Sequence, residues 1–191
     1  YYVWIRNISN ALEKLKNVSE LRNAARNIDN MAVRDSLTGV YNRMGINRFV
    51  VDMVKQANTS RRRLLFIFAD MDGLKKINDE FGHEAGDQAI CFAAEALQEA
   101  FCEKELIIRY GGDEFLVVSD ALCWEQAEEK KAQITALLKQ WQRDEKLPYR
   151  LSMSIGYYQK EPDTEASMEQ YINWADERMY EMKCKNREQR K

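Results

Sequence analysis

The sequence predicts an α+β fold of the ferredoxin-like βαββαβ kind, an antiparallel sheet flanked by helices that pack on one of its faces. Three observations lead there. Apolar runs of strand length alternate with stretches of helical spacing in the order β-α-α-β-β-α-β-α. Two short runs are joined through Gly111-Gly112, a pair that permits the positive φ of a tight hairpin turn. The 191 residues include only 8 Gly and 2 Pro, which favours long helices in one domain of ordinary size.

The elements follow in chain order. From Tyr1 to about Val33, Ile5, Ile8, Leu12 and Leu15 keep a three-four spacing, and Val18, Leu21, Ala25 and Ile28 resume it one residue out of register. A helix of about 30 residues is roughly 45 Å long, more than a small domain is wide, so its stripe calls for a partner. The partner is either a second copy in a parallel coil or the chain's own domain. The expected division is residues 1–34 as a signalling helix and 35–191 as the domain. Because the chain starts at Tyr1, an upstream sensor or membrane region is compatible with it. Asn42 is placed to cap a helix carrying Ile46, Phe49, Val50, Met53 and Val54. Leu64 to Ala69 reads as a strand, and Leu74 to Phe81 and Glu84 to Phe101 as helices. Leu106 to Ile108 and Phe115 to Val118 are the hairpin strands. A helix follows around Trp124 to Trp141, then a strand from the alternation of Tyr149, Leu151, Met153 and Ile155, then a helix around Ser167 to Lys185.

Composition narrows the function. Lys+Arg 29 against Asp+Glu 31 give a net charge of -2, which supplies no bulk field for a polyanion, so nucleic acid is not an expected partner. A single His excludes any site of several imidazoles. Cys91, Cys102, Cys123 and Cys184 never form a CxxC pair, which argues against zinc ribbons and fits reduced, buried thiols in the cytoplasm. No apolar run approaches the roughly 20 residues of a membrane span.

Four groups of residues carry candidate chemistry. Asp70 and Asp72 stand at the end of the Leu64 strand, where alternation points them the same way, and Gly73 lets a ligand approach the backbone. They suit Mg²⁺ and a triphosphate, or a solvated strand end whose Asp caps the next helix. Asp113 and Glu114 lie in the hairpin turn. If that hairpin lies beside the Leu64 strand, Asp113 comes near Asp70 and the acids can clamp cations; otherwise the turn is simply polar. Asn78 and Asp87 offer the donors and acceptors that match a guanine edge, with Lys75 placed for a phosphate and His83 between them, or all are polar groups on helix surfaces. Lys183 and Arg187, four apart on the last helix, share a face that can hold a polyphosphate or answer the helix dipole.

Together these segments closely resemble the GGDEF-domain diguanylate cyclase family. The matching stretches are Asp35-Ser36-Leu37-Thr38-Gly39-Val40-Tyr41-Asn42-Arg43, the run from Asp70 to Asp87, Arg109-Tyr110-Gly111-Gly112-Asp113-Glu114-Phe115, Ser154-Ile155-Gly156, and Ala175-Asp176 through Tyr180 to Lys183. They stand in the family's order and spacing, from about Arg34 to Arg187. The resemblance implies a sheet of the nucleotidyl-cyclase and polymerase-palm type. It implies condensation of two GTP into cyclic di-GMP with release of two pyrophosphates, by two-metal phosphoryl transfer at the interface of a homodimer. Mg²⁺, or alternatively Mn²⁺, is the implied cofactor. Asp70, the Met71 carbonyl and Asp113 become metal ligands, Asp113 also the general base, and Glu114 the supporting acid. Asn78 and Asp87 would read guanine beside His83. Lys75, Lys183 and Arg187 would hold phosphates next to Gly73 and Leu74, and Gly111 and Gly112 would leave room for GTP.

The sequence departs from the family pattern in three places. Gly73 and Leu74 follow the second Asp where bulkier or aromatic residues are frequent. Asn186 replaces the usual Gly before Arg187, and Asn tolerates left-handed geometry next best, so Arg187 is still expected to turn inward. Cys102 and Glu105 stand where many members carry the Arg and Asp of an inhibitory product site, so that site is expected to be absent. A catalytically silent GTP-binding domain and a purely structural dimerisation module are the competing functions.

Overall fold

The computed structural model describes Lys16, residues 32–101 and residues 104–188, with side chains as far as Cys184. The expected N-terminal helix lies almost entirely outside the described residues, as do its register slip at Val18 and its coiled-coil pairing. The chain divides after Arg34 into two compact units, and the sheet and its helices belong to the second, Asp35–Lys191.

The described elements are a π-helical turn Ile46–Val50 running into α1 (Val51–Thr59), β1 (Leu64–Met71), α2 (Leu74–Phe81), α3 (His83–Ala100), β2 (Leu106–Arg109), β3 (Glu114–Ser119), α4 (Trp124–Asp144), β4 (Met153–Lys160) and α5 (Met168–Glu188). The sheet order is β2-β3-β1-β4, and each neighbouring pair is antiparallel, as the βαββαβ reading requires.

β1 is central, and all eight of its residues are buried. Its alternation feeds two cores. Leu65, Ile67, Ala69 and Met71 pack with Ala89, Ile90 and Ala93 of α3 and with Ile134 and Leu138 of α4. Leu64, Phe66 and Phe68 pack with Val54 of α1 and with Tyr171, Ile172, Ala175 and Met179 of α5. Helices therefore cover both faces of the sheet, not one. The unbroken apolar run in β1 is the reason, since a strand with no polar alternation has no face to offer to water.

β4 begins at Met153, later than the alternation from Tyr149 suggests. β1 ends at Met71, which pairs with Met153, and past that pair the Asp72 N–H donates to the Ser152 carbonyl at 2.8 Å. Tyr149 and Leu151 are nevertheless buried in the first core, which is why they look like strand. At Gly156 the backbone of α5 comes so close to β4 that a Cβ would lie 2.0 Å from the Met179 nitrogen. That contact fixes the height at which α5 crosses the sheet.

Candidate active site

The pairing of β1 with β3 brings acids from distant parts of the chain to one end of the sheet. Asp70 stands opposite Glu114 on one side and opposite Ser154 on the other. The Met71 N–H donates to the Asp113 carbonyl at 3.0 Å, which ties the hairpin turn to the end of β1. The Glu114 side chain folds back over Gly111, where a Cβ would lie 2.3 Å from Glu114 Oε2. Neither Gly111 nor Gly112 has a left-handed φ. Gly111 thus leaves room that the Glu114 carboxylate occupies, and does not supply the positive φ expected of a tight turn.

Asp70 lies on the face of β1 that packs against α5, and the Lys183 ammonium forms an ion pair with its carboxylate. Burial pushes the Asp70 carboxyl above its ordinary value, Asp113 and Asp72 add to the rise, and Lys183 opposes it. Burial also raises Glu114, with the charges of Asp70, Asp113 and Asp176 acting in the same sense. Asp176, seven residues before Lys183 on α5, is raised by burial and by Glu177 and eased by Lys183.

Asp72, whose charge also bears on Asp70, is held by β4. It accepts hydrogen bonds from Ser152 Oγ at 2.9 Å and Ser154 Oγ at 2.7 Å. Its N–H donates to the Ser152 carbonyl at 2.8 Å, one step beyond the Met71–Met153 pair, so Asp72 fastens the end of β1 to β4.

Arg109, flanking the turn, braces it from outside. Its Nη2 and Nε donate to the Gly112 carbonyl at 2.8 and 3.2 Å, and Nη1 donates to both Asp35 oxygens at 3.1 and 3.2 Å. Asp35 also accepts from the Thr38 N–H and hydroxyl. Although burial acts to raise its pKa, these bonds and the guanidinium charge hold the Asp35 carboxyl below its ordinary value.

On the other side of β1, Gly73 and Gly82 adopt φ of 78° and 87° where the chain enters α2 and α3. These turns set Asn78 of α2 against Gly86 of α3, where a Cβ would lie 1.8 Å from Asn78 Oδ1. Asp87 follows Gly86 on α3, so the two residues expected to read guanine flank one close helix crossing. Lys75 and His83 are exposed on the same helices, and Leu74 packs against the first core. A cavity of about 340 Å³ lined by Asp72, Lys131, Lys139, Arg150, Met153 and Met182 adjoins this end of the sheet but does not include Asp70, Asp113 or Glu114.

The side chain of Arg187 lies outside the described residues. α5 continues through Glu188, so Asn186 is helical and does not supply the left-handed turn expected there. Cys102 is also outside the described residues, while Glu105 is buried and accepts from Ser119 Oγ at 3.3 Å.

The carboxylates of Asp70, Asp113 and Glu114 and the Met71 carbonyl are hard oxygen donors of the kind that suit Mg²⁺ or Mn²⁺. Among the described residues no three acids already surround one point. The cation against Asp70 is the Lys183 ammonium, so the place fits a positive charge. Sequence reasoning assigned no task to Asp35, Arg109, Ser152, Ser154 or Asp176. Asp35, Arg109, Ser154 and Asp176 lie in the matching stretches, which is the signal that points to them.

Comparison with known proteins agrees with this architecture. Residues 32–189 match the model of the family described as diguanylate cyclase, GGDEF domain. The chain is 30% identical over 184 residues to diguanylate cyclase DgcP of Escherichia coli, covering 92% of this chain and 52% of that protein. It is 31% identical over 169 residues to the bifunctional diguanylate cyclase and cyclic di-GMP phosphodiesterase MucR of Pseudomonas aeruginosa, covering 88% of this chain and 24% of that protein. Among solved structures, the coiled coil and GGDEF domain of DgcB from Caulobacter crescentus, in complex with c-di-GMP, superposes with a TM-score of 0.74 at 20% identity, over 92% of this chain and 93% of that one. No described helix is long and apolar enough to cross a membrane. The match over nearly the whole described domain, with the acid-bearing hairpin beside β1, places this chain in the GGDEF-domain family.

Proposed function

We propose that this chain is an active diguanylate cyclase that condenses two GTP into cyclic di-GMP and releases two pyrophosphates. The observation that carries this reading is the intact signature turn, with Asp113 and Glu114 next to Asp70 across the β1–β3 pairing. A ribose 3'-hydroxyl, with a pKa of roughly 15, is a poor nucleophile at neutral pH and needs help to lose its proton. Asp113 takes that proton as the 3'-oxygen bonds to the α-phosphorus of the other GTP and the bond to pyrophosphate breaks in line. Asp70, the Met71 carbonyl and Asp113 would hold Mg²⁺ or Mn²⁺, which would supply charge neutralisation at the phosphates. Glu114 supports that cluster. Asn78 and Asp87 read guanine beside His83, Gly111 and Gly112 leave room for GTP, and Lys75, Lys183 and Arg187 hold phosphates near Gly73 and Leu74.

One such site holds one GTP, so the reaction needs two copies face to face, and we assign residues 1–34 to setting that encounter as a coiled coil below an upstream sensor. Such a domain works in the cytoplasm, where GTP is available. A second reading, a silent GTP-binding domain, draws on one comparison: over 103 residues the chain is 33% identical to cyclic di-GMP phosphodiesterase NbdA of P. aeruginosa, covering 54% of this chain and 13% of that protein. GTP turnover with Mg²⁺ decides. Conversion that disappears in Asp113→Ala supports the cyclase, and GTP binding without conversion supports the silent domain. Removing residues before Asp35 is expected to make specific activity depend steeply on protein concentration; independence of concentration would remove the role given to the helix.

A further inference from the structure

We propose that Lys183 is an exchangeable counter-ion: it neutralises Asp70 in the metal-free domain and transfers to substrate phosphate when a divalent cation binds. The inference rests on the preceding reading of the site as one for GTP and metal. Asp70 is only 7% exposed, and a carboxylate so buried is costly unless a cation stands beside it. The Lys183 side chain is 18% exposed and spends its charge on Asp70, while easing Glu114 and Asp176 as well. With Lys183 there, its ammonium answers several acids, and a proposed metal ligand is already occupied.

The close approach of α5 to Gly156 fixes the helix on the sheet, so exchange must occur by swinging the lysine stem. Lysine suits that task, being a compact point charge on a flexible four-carbon chain. A divalent cation arriving alone would leave the ammonium beside a second positive charge in a half-buried site. Arriving with a triphosphate, it would leave Lys183 with oxygens to meet. Metal and nucleotide affinities are therefore coupled through this side chain, in addition to any coupling from phosphate oxygens acting as metal ligands.

Two measurements on the full chain test the exchange. Mn²⁺ binding without nucleotide is followed by the electron paramagnetic resonance signal of the free ion, and Lys183→Met is expected to bind Mn²⁺ about tenfold tighter than the parent, the effect of removing one partly buried competing charge. Binding of a GTP analogue with a methylene between the α and β phosphorus is then measured in EDTA. Asp70→Asn is expected to bind it about tenfold tighter because Lys183 is set free, and that gain is expected to vanish in Asp70→Asn/Lys183→Met. Relief of charge repulsion alone would leave the gain intact in the double variant and would overturn the proposal, as would unchanged or weaker Mn²⁺ binding by Lys183→Met. Lys183→Gln takes its place in both arms should Lys183→Met not fold. A parent chain that binds neither Mn²⁺ nor the analogue would overturn the reading of the site, and this proposal with it.

Discussion

Arg109 joins Asp35 to the signature turn: one guanidinium nitrogen lies 3.1 and 3.2 Å from the two Asp35 oxygens, while two others donate to the Gly112 carbonyl. The Asp35 side chain is 19% exposed, so the pair is only partly screened by water. Because the folded state holds the Asp35 pKa below its unfolded value, the pair stabilises the fold above that value, and the contribution is lost as pH falls through the folded pKa. Asp35→Asn is expected to lose about 1–2 kcal/mol at neutral pH. Urea unfolding across the acid range should show parent and variant converging below about pH 4; a constant gap would contradict this.

Gly86→Ala is expected to raise the KM for GTP by about tenfold or more with a smaller effect on kcat. The new methyl would stand 1.8 Å from Asn78 Oδ1, so Asn78 must leave its place at the α2–α3 crossing. The cost falls on binding more than on the chemical step. Initial-rate kinetics over a range of GTP concentrations check the split.

Glu114→Gln is expected to stabilise the metal-free domain while it abolishes most turnover. The folded state raises the Glu114 pKa, so stability falls as pH rises from the unfolded value through the folded one, and at neutral pH the ionised side chain is a net cost. Removing the charge should raise Tm in EDTA. A lower Tm for the variant would show that Glu114 contributes favourable contacts that outweigh the repulsion.

Gly156→Ala is expected to destabilise by about 2–3 kcal/mol, because its methyl meets the Met179 backbone nitrogen at 2.0 Å and a backbone cannot rotate away. α5 must shift, and Lys183 with it, so turnover should fall too. Gly112→Ala supplies the contrast, since a Cβ there meets nothing within 4 Å, and its urea midpoint should match that of the parent.

Cyclic di-GMP is expected to inhibit only weakly. Cys102 offers no guanidinium for bidentate capture of the product, and Glu105 is buried and bonded to Ser119. Sub-micromolar inhibition in a turnover assay would contradict this.

By itself the sequence determined the order of elements, because hydrophobic period is local: the alternation and run of β1, the spacing of α2 to α5 and the Gly-Gly hairpin are each legible within a few residues. Motif spacing likewise made Asp70, Asp113, Glu114, Asn78 and Lys183 legible as candidates, and their resemblance to a known family joined them into one site. The tertiary structure alone decided what depends on residues far apart in the chain. It put helices on both faces of the sheet, because two cores draw on opposite sides of the same β1. It gave Asp70 to Lys183 and Asp72 to Ser152 and Ser154, because the β1–β4 register and the height of α5 set which partners a carboxylate meets. It made Gly156 necessary through the backbone of α5, since a steric limit belongs to whatever packs against a glycine and not to the glycine's own neighbours in sequence.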